Sequence, residues 1–104
     1  MCIRDSSSTA WLAYPILINK NAPFSRKDFQ IYLEKRNIQT RVVFTGNILR
    51  QPMMKNQKYI GKLSELKNAD NVMKRGVLLQ VHHGMTSKMF TRLHNTIEDF
   101  LKTY

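Results

Sequence analysis

A chain of 104 residues, 42% hydrophobic and 23% charged, has room for one modest core and is too apolar for wholesale disorder. No apolar run approaches the ~20 residues of a membrane span, no secretory signal pattern is present, and the single cysteine, Cys2, excludes an internal disulfide or a cysteine metal cage. Seventeen lysines and arginines against seven acids give +10, which favours an anionic partner, but the cations are scattered singly with no RNA-binding signature, so nucleic acid is not expected.

The first six residues, MCIRDS, are the translation of a widely used transposon sequencing adapter, ATG TGT ATA AGA GAC AG plus one pyrimidine. They are expected to be a scar outside the fold, which leaves 7–104 as the domain. Residues 11–18, WLAYPILI, form a short apolar run before Asn19-Lys20-Asn21 and predict a strand buried on both faces, with Pro15 marking an edge or a bulge. In APFSRKDFQIYLEKRN, Ser25 and Asp28 have capping-box spacing, and Phe24 and Phe29 stand where a hydrophobic staple requires them. Phe29, Tyr32 and Leu33 then share a helical face, and Asn37 is placed to cap its end.

Residues 38–44, IQTRVVF, are β-branched and predict a second strand bounded by Gly46-Asn47. From 48 to 67 the pattern is weak, with short helical turns at most. NADNVMKRG predicts a short helix entered at Asn68 or Asp70 and closed by Gly76. Residues 77–81, VLLQV, predict a third strand and HHGM a loop. Thr86 then caps a last helix in which Met89, Phe90, Leu93, Ile97, Phe100, Leu101 and Tyr104 recur at helical spacing. The sum is a small α+β unit, about three strands covered by helices.

Few residues in this frame invite chemistry. His82 and His83 are adjacent on an extended segment, so they point apart and are not expected to chelate one metal; each reads as a hydrogen-bonded loop histidine or a contact to an anionic ligand. His94 reads as a surface or packing residue, and Met53, Met54, Met73, Met85 and Met89 as fillers of a core or interface. Lys35-Arg36 and Lys74-Arg75 read as solvated faces at helix C-termini, where the dipole favours cations. No residue is expected to be catalytic, since neither a serine-histidine-aspartate order, a phosphate-cradling glycine loop nor a nucleophilic cysteine is present.

RVVFTGNILRQP, residues 41–52, is different. A plain connection needs Gly46 but not Asn47, Arg50 and Gln51 in close succession. One reading is a strand and its turn; the other is a ligand-facing loop, in which Asn47 and Gln51 suit hydroxyls and Arg50 offers a planar fork to phosphate. Those are the groups that a nucleotide sugar needs. Phe44 and Gly46 belong to the same candidate surface, with His82 and His83 expected nearby.

Taken together, WLAYPILI, APFSRKDFQIYLEKRNIQTRVVFTGNILRQP, NADNVMKRGVLLQVHHGM and the closing helix resemble the C-terminal small domain of the DegT/DnrJ/StrS family of PLP-dependent sugar aminotransferases. Within that family, IQTR, F-x-GN and RQP look closest to the nucleotide-sugar 3-dehydrases of lipopolysaccharide biosynthesis, typified by CDP-4-dehydro-6-deoxyglucose 3-dehydrase. The resemblance implies the fold-type I architecture, a homodimer, a cytoplasmic location, and a cofactor, PLP or PMP, held mainly by a large domain that precedes this one. It also implies that the dehydrases use a histidine where aminotransferases use the cofactor lysine. Some carry an iron–sulfur cluster and work with a separate reductase. Neither the lysine-or-histidine position nor cluster ligands fall in this chain, and His82 and His83 are not that histidine. A sugar aminotransferase of the same family is the nearest alternative, and a basic module for anions or nucleic acid is an alternative of another class.

Overall fold

Residues 11–104 are described by a computed structural model; the adapter-like residues 1–6 lie outside the described residues. Strands β1 (Ala13–Leu17), β2 (Thr40–Val42) and β3 (Gly76–Gln80) form one antiparallel sheet in the order β1-β3-β2. Helix α1 (Arg26–Glu34) connects the two outer strands, α2 (Lys67–Arg75) leads into β3, and α3 (Ser87–Leu101) closes the chain. The last strand in sequence is therefore the central one, inserted between the first two as in a split β-α-β unit. The α+β reading holds, with three strands and three α-helices among the described residues.

Pairing places Ile16 and Val42 opposite Val77, and Tyr14 and Thr40 opposite Leu79, so these residues share one face. On that face Ile18, Val77 and Leu79 join Phe29 and Leu33 of α1 and Phe100 of α3 in the buried core. Phe100 is its hub, with ring centroids 4.8 Å from Phe24, 5.0 Å from Tyr32, 5.2 Å from Tyr104 and 5.3 Å from Phe29. Edge and tilted geometries of this kind are favoured by the ring quadrupoles.

The helix ends follow local chemistry. Ser25 Oγ accepts from the Asp28 amide at 3.2 Å while the Ser25 amide donates to the Asp28 carboxylate at 3.0 Å, closing the capping box. The staple rings of Phe24 and Phe29 stack at 6.3 Å. At the other end Asn37 takes the left-handed conformation, φ 59°, and the Ile38 amide reaches back to the Leu33 carbonyl at 3.0 Å. Asn37 is thus the left-handed residue that stops α1. Thr86 caps α3 through its hydroxyl, which accepts from the Met89 amide at 3.3 Å.

Several expectations are corrected by tertiary packing. β1 is an edge strand with one covered face, not a strand buried on both: Pro15 and Leu17 stand exposed on the far face with Arg41 and Gln80. β2 is only three residues long, because the chain leaves the sheet at Val43, and β3 starts at Gly76. α2 begins at Lys67 after Leu66 rather than at Asn68 or Asp70. Gly76 closes it with an extended backbone, φ −76°, not a left-handed one; its glycine is required because a Cβ would lie 2.5 Å from the Val72 carbonyl oxygen. Arg36 is not simply solvated, since its guanidinium lies 3.5 Å over the Tyr32 ring. Nor is Arg75, which donates to the Ile18 carbonyl at 2.8 Å and ties α2 to the end of β1. The apolar stripe of α3 is buried only at Phe100 and partly at Leu93 and Ile97, leaving Met89, Phe90, Leu101 and Tyr104 substantially exposed. The weakly patterned segment does contain only short 3₁₀ turns, at Ile48–Arg50, Pro52–Met54 and Leu63–Glu65.

The core assignment is testable by contrast. Phe100→Ala should cost about 3–5 kcal/mol in a urea titration, whereas Ile60→Ser, at a fully exposed apolar position, should stay within about 0.5 kcal/mol. Equal shifts would show that the hub is misplaced.

Candidate functional site

Beyond β2 the chain turns back along α2. Gly46 has φ 77°, and a Cβ there would lie 2.5 Å from Met73 Cβ, so only glycine lets this turn and the helix meet. The close approach is thus to the protein's own helix. The next residue, Asn47, is 1% exposed. Its Oδ1 accepts from the Leu49 amide at 3.1 Å and starts the Ile48–Arg50 turn, while Nδ2 donates to Asp70 Oδ1 at 2.8 Å.

Asp70, in the first turn of α2, is the anchor of the arrangement. Arg50 donates Nε to Asp70 Oδ1 and Nη2 to Asp70 Oδ2, the latter at 2.7 Å, in a two-pronged charge-assisted pair. These hydrogen bonds, the arginine's first and the asparagine's second, hold the Asp70 carboxyl down to about 2, with Lys74 adding attraction from one helical turn away. The same pair raises the Arg50 guanidinium above its ordinary value. Gln51 Nε2 donates to the Thr45 carbonyl at 3.1 Å and bridges the two ends of the turn.

The loop therefore directs many of its polar atoms inward. What it offers outward is Arg50 Nη1, which meets no partner among the described residues, the Oε1 of half-buried Gln51, and the Phe44 ring, 89% exposed. Phe44, Gly46, Asn47, Arg50 and Gln51 are brought into one turn. His82 and His83 are not brought to it. Because β2 runs antiparallel to β3 with Val42 opposite Val77, the loop leaves one end of the sheet and the histidines leave the other, roughly 15 Å apart along the strand at ~3.3 Å per residue.

At that far end His82 Nδ1 accepts from the Gly84 amide at 3.1 Å, and the two imidazoles stand nearly perpendicular with centroids 6.5 Å apart. His82 also borders a cavity of about 130 Å³ with Gln39, Gln80, Met85, Met89 and Arg92. His94 is exposed and 3.3 Å from Glu98.

Asp70 was read in the sequence as a helix-entry residue. Its partners lie 20 and 23 positions away, so no local spacing announces them. The one clue was stoichiometric: three hydrogen-bonding side chains in one turn of a chain with only seven acids.

The described residues do not form a cradle for pyridoxal phosphate by themselves. Every lysine among them is exposed, and the one acid at the loop is occupied by Arg50 and Asn47. No group of three potential metal ligands is present among them either. No helix of the described residues is long and apolar enough to cross a membrane.

The described residues thus form a split β-α-β unit with one covered sheet face and an acid-anchored arginine on the loop beyond β2. The chain belongs to the DegT/DnrJ/EryC1/StrS aminotransferase family, whose model matches residues 2–98. It is 33% identical over 96 residues to a dTDP-4-dehydro-2,6-dideoxy-D-glucose 3-dehydratase of Saccharopolyspora spinosa, an alignment covering 91% of this chain and 20% of that protein. It is 28% identical over 96 residues to the lipopolysaccharide biosynthesis protein RfbH of Salmonella typhimurium, covering 92% of this chain and 22% of the relative. The chain thus spans about a fifth of the length of these relatives.

The Asp70 tie makes stability pH-dependent with a defined sign. A carboxylate whose folded value is depressed contributes stability above its ordinary range, near pH 4, and loses it as pH falls through about 2. The urea midpoint of the wild-type chain should exceed that of Asp70→Asn at pH 6, and the gap should close between pH 4 and 2. A gap constant over that interval would disprove the tie.

Proposed function

We propose that residues 7–104 are the C-terminal small domain of a PLP- or PMP-dependent nucleotide-sugar enzyme, a 3-dehydrase acting on a 4-keto-6-deoxy sugar nucleotide in deoxysugar or lipopolysaccharide biosynthesis. The observation that carries this reading is the family match, with two relatives aligned over nine-tenths of the chain, one named a sugar-nucleotide 3-dehydratase and the other a lipopolysaccharide biosynthesis protein. In this reading the complete polypeptide adopts the fold-type I architecture as a cytoplasmic homodimer and holds the cofactor mainly in its preceding domain; an iron–sulfur cluster and a separate reductase belong to some dehydrases and not to others.

The cofactor, when bound by the complete polypeptide, activates the sugar at its keto carbon. The residues of this chain bind and orient the substrate. Arg50 offers its Nη1 edge to a phosphate of the sugar nucleotide, Gln51 retains Oε1 as an acceptor for a hydroxyl, and the Phe44 ring supplies an apolar face. Gly46 and Asn47 shape the turn. His82 and His83, at the other end of the sheet, contact substrate only if it extends that far.

A sugar aminotransferase is the second reading, favoured by the description of the family itself. The residue at the cofactor position, read from genomic DNA on the 5′ side, separates the two: histidine for the dehydrase, lysine for the aminotransferase. A basic binding module is separated from both by steeply salt-dependent nucleic-acid binding of the chain, which the enzyme readings do not expect.

Arg50→Ala in the complete polypeptide should lower kcat/KM by roughly thirtyfold or more, the loss of a charged partner in a desolvated site, with cofactor content unchanged. Wild-type kcat/KM in that variant would make the loop structural. The 104-residue chain by itself should leave the absorbance spectrum of added PLP unchanged. A stoichiometric band shift abolished by substituting a single lysine would contradict the assignment of the cofactor to the preceding domain.

A further inference from the structure

Arginine binds anions best when its guanidinium is fixed beforehand, because an exposed arginine gives up rotamer freedom on binding. In this chain the fixing group is visible. Asp70 takes Nε and Nη2 of Arg50, one side of the fork, and leaves Nη1 and the outer proton of Nη2 directed away from α2. Asn47, buried and bonded to the same carboxylate, keeps Asp70 from swinging out with the arginine. Gly46 locks the turn against Met73, so the backbone that carries Arg50 is seated on the helix that carries Asp70. Lys74, one helical turn beyond Asp70, acts on its carboxylate and leaves the group of Arg50, Asp70 and Lys74 with a net positive charge.

We propose that Asp70 is a positioning residue, which orients the free edge of Arg50 toward the diphosphate of the sugar nucleotide and takes no part in contacting substrate. The proposal rests on the reading above that Arg50 meets the substrate's phosphate. It explains why an acid stands beside an anion-binding arginine: a preset fork spares the side chain's ordering cost on binding, and Lys74 offsets the charge of Asp70 toward an incoming phosphate.

Positioning and plain electrostatics make opposite predictions. If Asp70 merely competes for Arg50, removing its charge strengthens anion binding; if it positions Arg50, displacing the carboxylate weakens it. The test is a titration of the 104-residue chain with inorganic pyrophosphate, followed by NMR at the Arg50 Nε–Hε signal and at core amides such as Leu33 and Val77. Asp70→Glu keeps the charge and moves the carboxylate by one methylene. It should weaken pyrophosphate binding about two- to tenfold, the range of one side chain's ordering cost, with core signals unchanged. Asp70→Asn should also bind more weakly than wild type.

Binding that requires Arg50 but is unaltered in Asp70→Glu, or is tighter in Asp70→Asn, overturns the proposal alone. Binding that survives Arg50→Ala, or no binding by the wild type, overturns the reading on which it rests. Should either Asp70 variant fail to fold, wild-type hydrogen exchange decides. The Arg50 Hε must exchange more slowly than that of exposed Arg41, whose guanidinium has no hydrogen-bond partner among the described residues; equal rates show an unrestrained fork and end the proposal.

Discussion

Every backbone pairing in the sheet runs through β3, which arrives last. Tyr14 waits for Leu79 and Thr40 for the same residue, so neither outer strand has a partner until residues 76–80 have been threaded between them. Closing those separations costs chain entropy before the sheet returns any hydrogen bond. What needs no distant partner is helix α1, with its Ser25 capping box and Phe24–Phe29 staple, whereas the aromatic contacts it makes with Phe100 of α3 are as long-range as the sheet itself. The site inherits the same dependence. Its loop follows β2, its anchor precedes β3, and they come together only because those two strands are neighbours.

This division also decides what could be read from the sequence. The Ser25 and Thr86 caps, the Phe24–Phe29 staple and the left-handed Asn37 were legible because each is written within a few residues. The three strands and three helices followed from periodicity. What escaped were features fixed by distant partners: Arg75 on the Ile18 carbonyl 57 residues away, Asp70 under Arg50, and the exposed far face of β1, which an apolar run of eight residues does not distinguish from a buried one. The stretch 41–52 was recognisable as unusual, but half of its polar groups serve to hold the turn in shape. Sequence alone could not separate those from the groups that face outward, and placing the histidines beside them required the strand register.

The composition can now be understood locally. A charge of +10 distributed singly gives no basic stripe, yet within that diffuse field one arginine has its counter-charge fixed and a lysine one helical turn beyond it. Specificity for one sugar over another cannot come from that pair, because phosphate is common to all sugar nucleotides.

Among the described residues β1 is an outer strand of the sheet, and the side of it that faces away from β3 has a consequence for pairing with another chain. The Ile18 amide bonds the Arg75 carbonyl, which sets the alternation along the strand and points the backbone nitrogens of Ala13, Pro15 and Leu17 outward. The middle one is a tertiary amide without hydrogen. A stray strand laid against this edge would find a missing donor and a protruding ring halfway along, so the edge cannot serve as a template for continued pairing. Among the described residues, a single proline thus blunts the outer edge of the sheet.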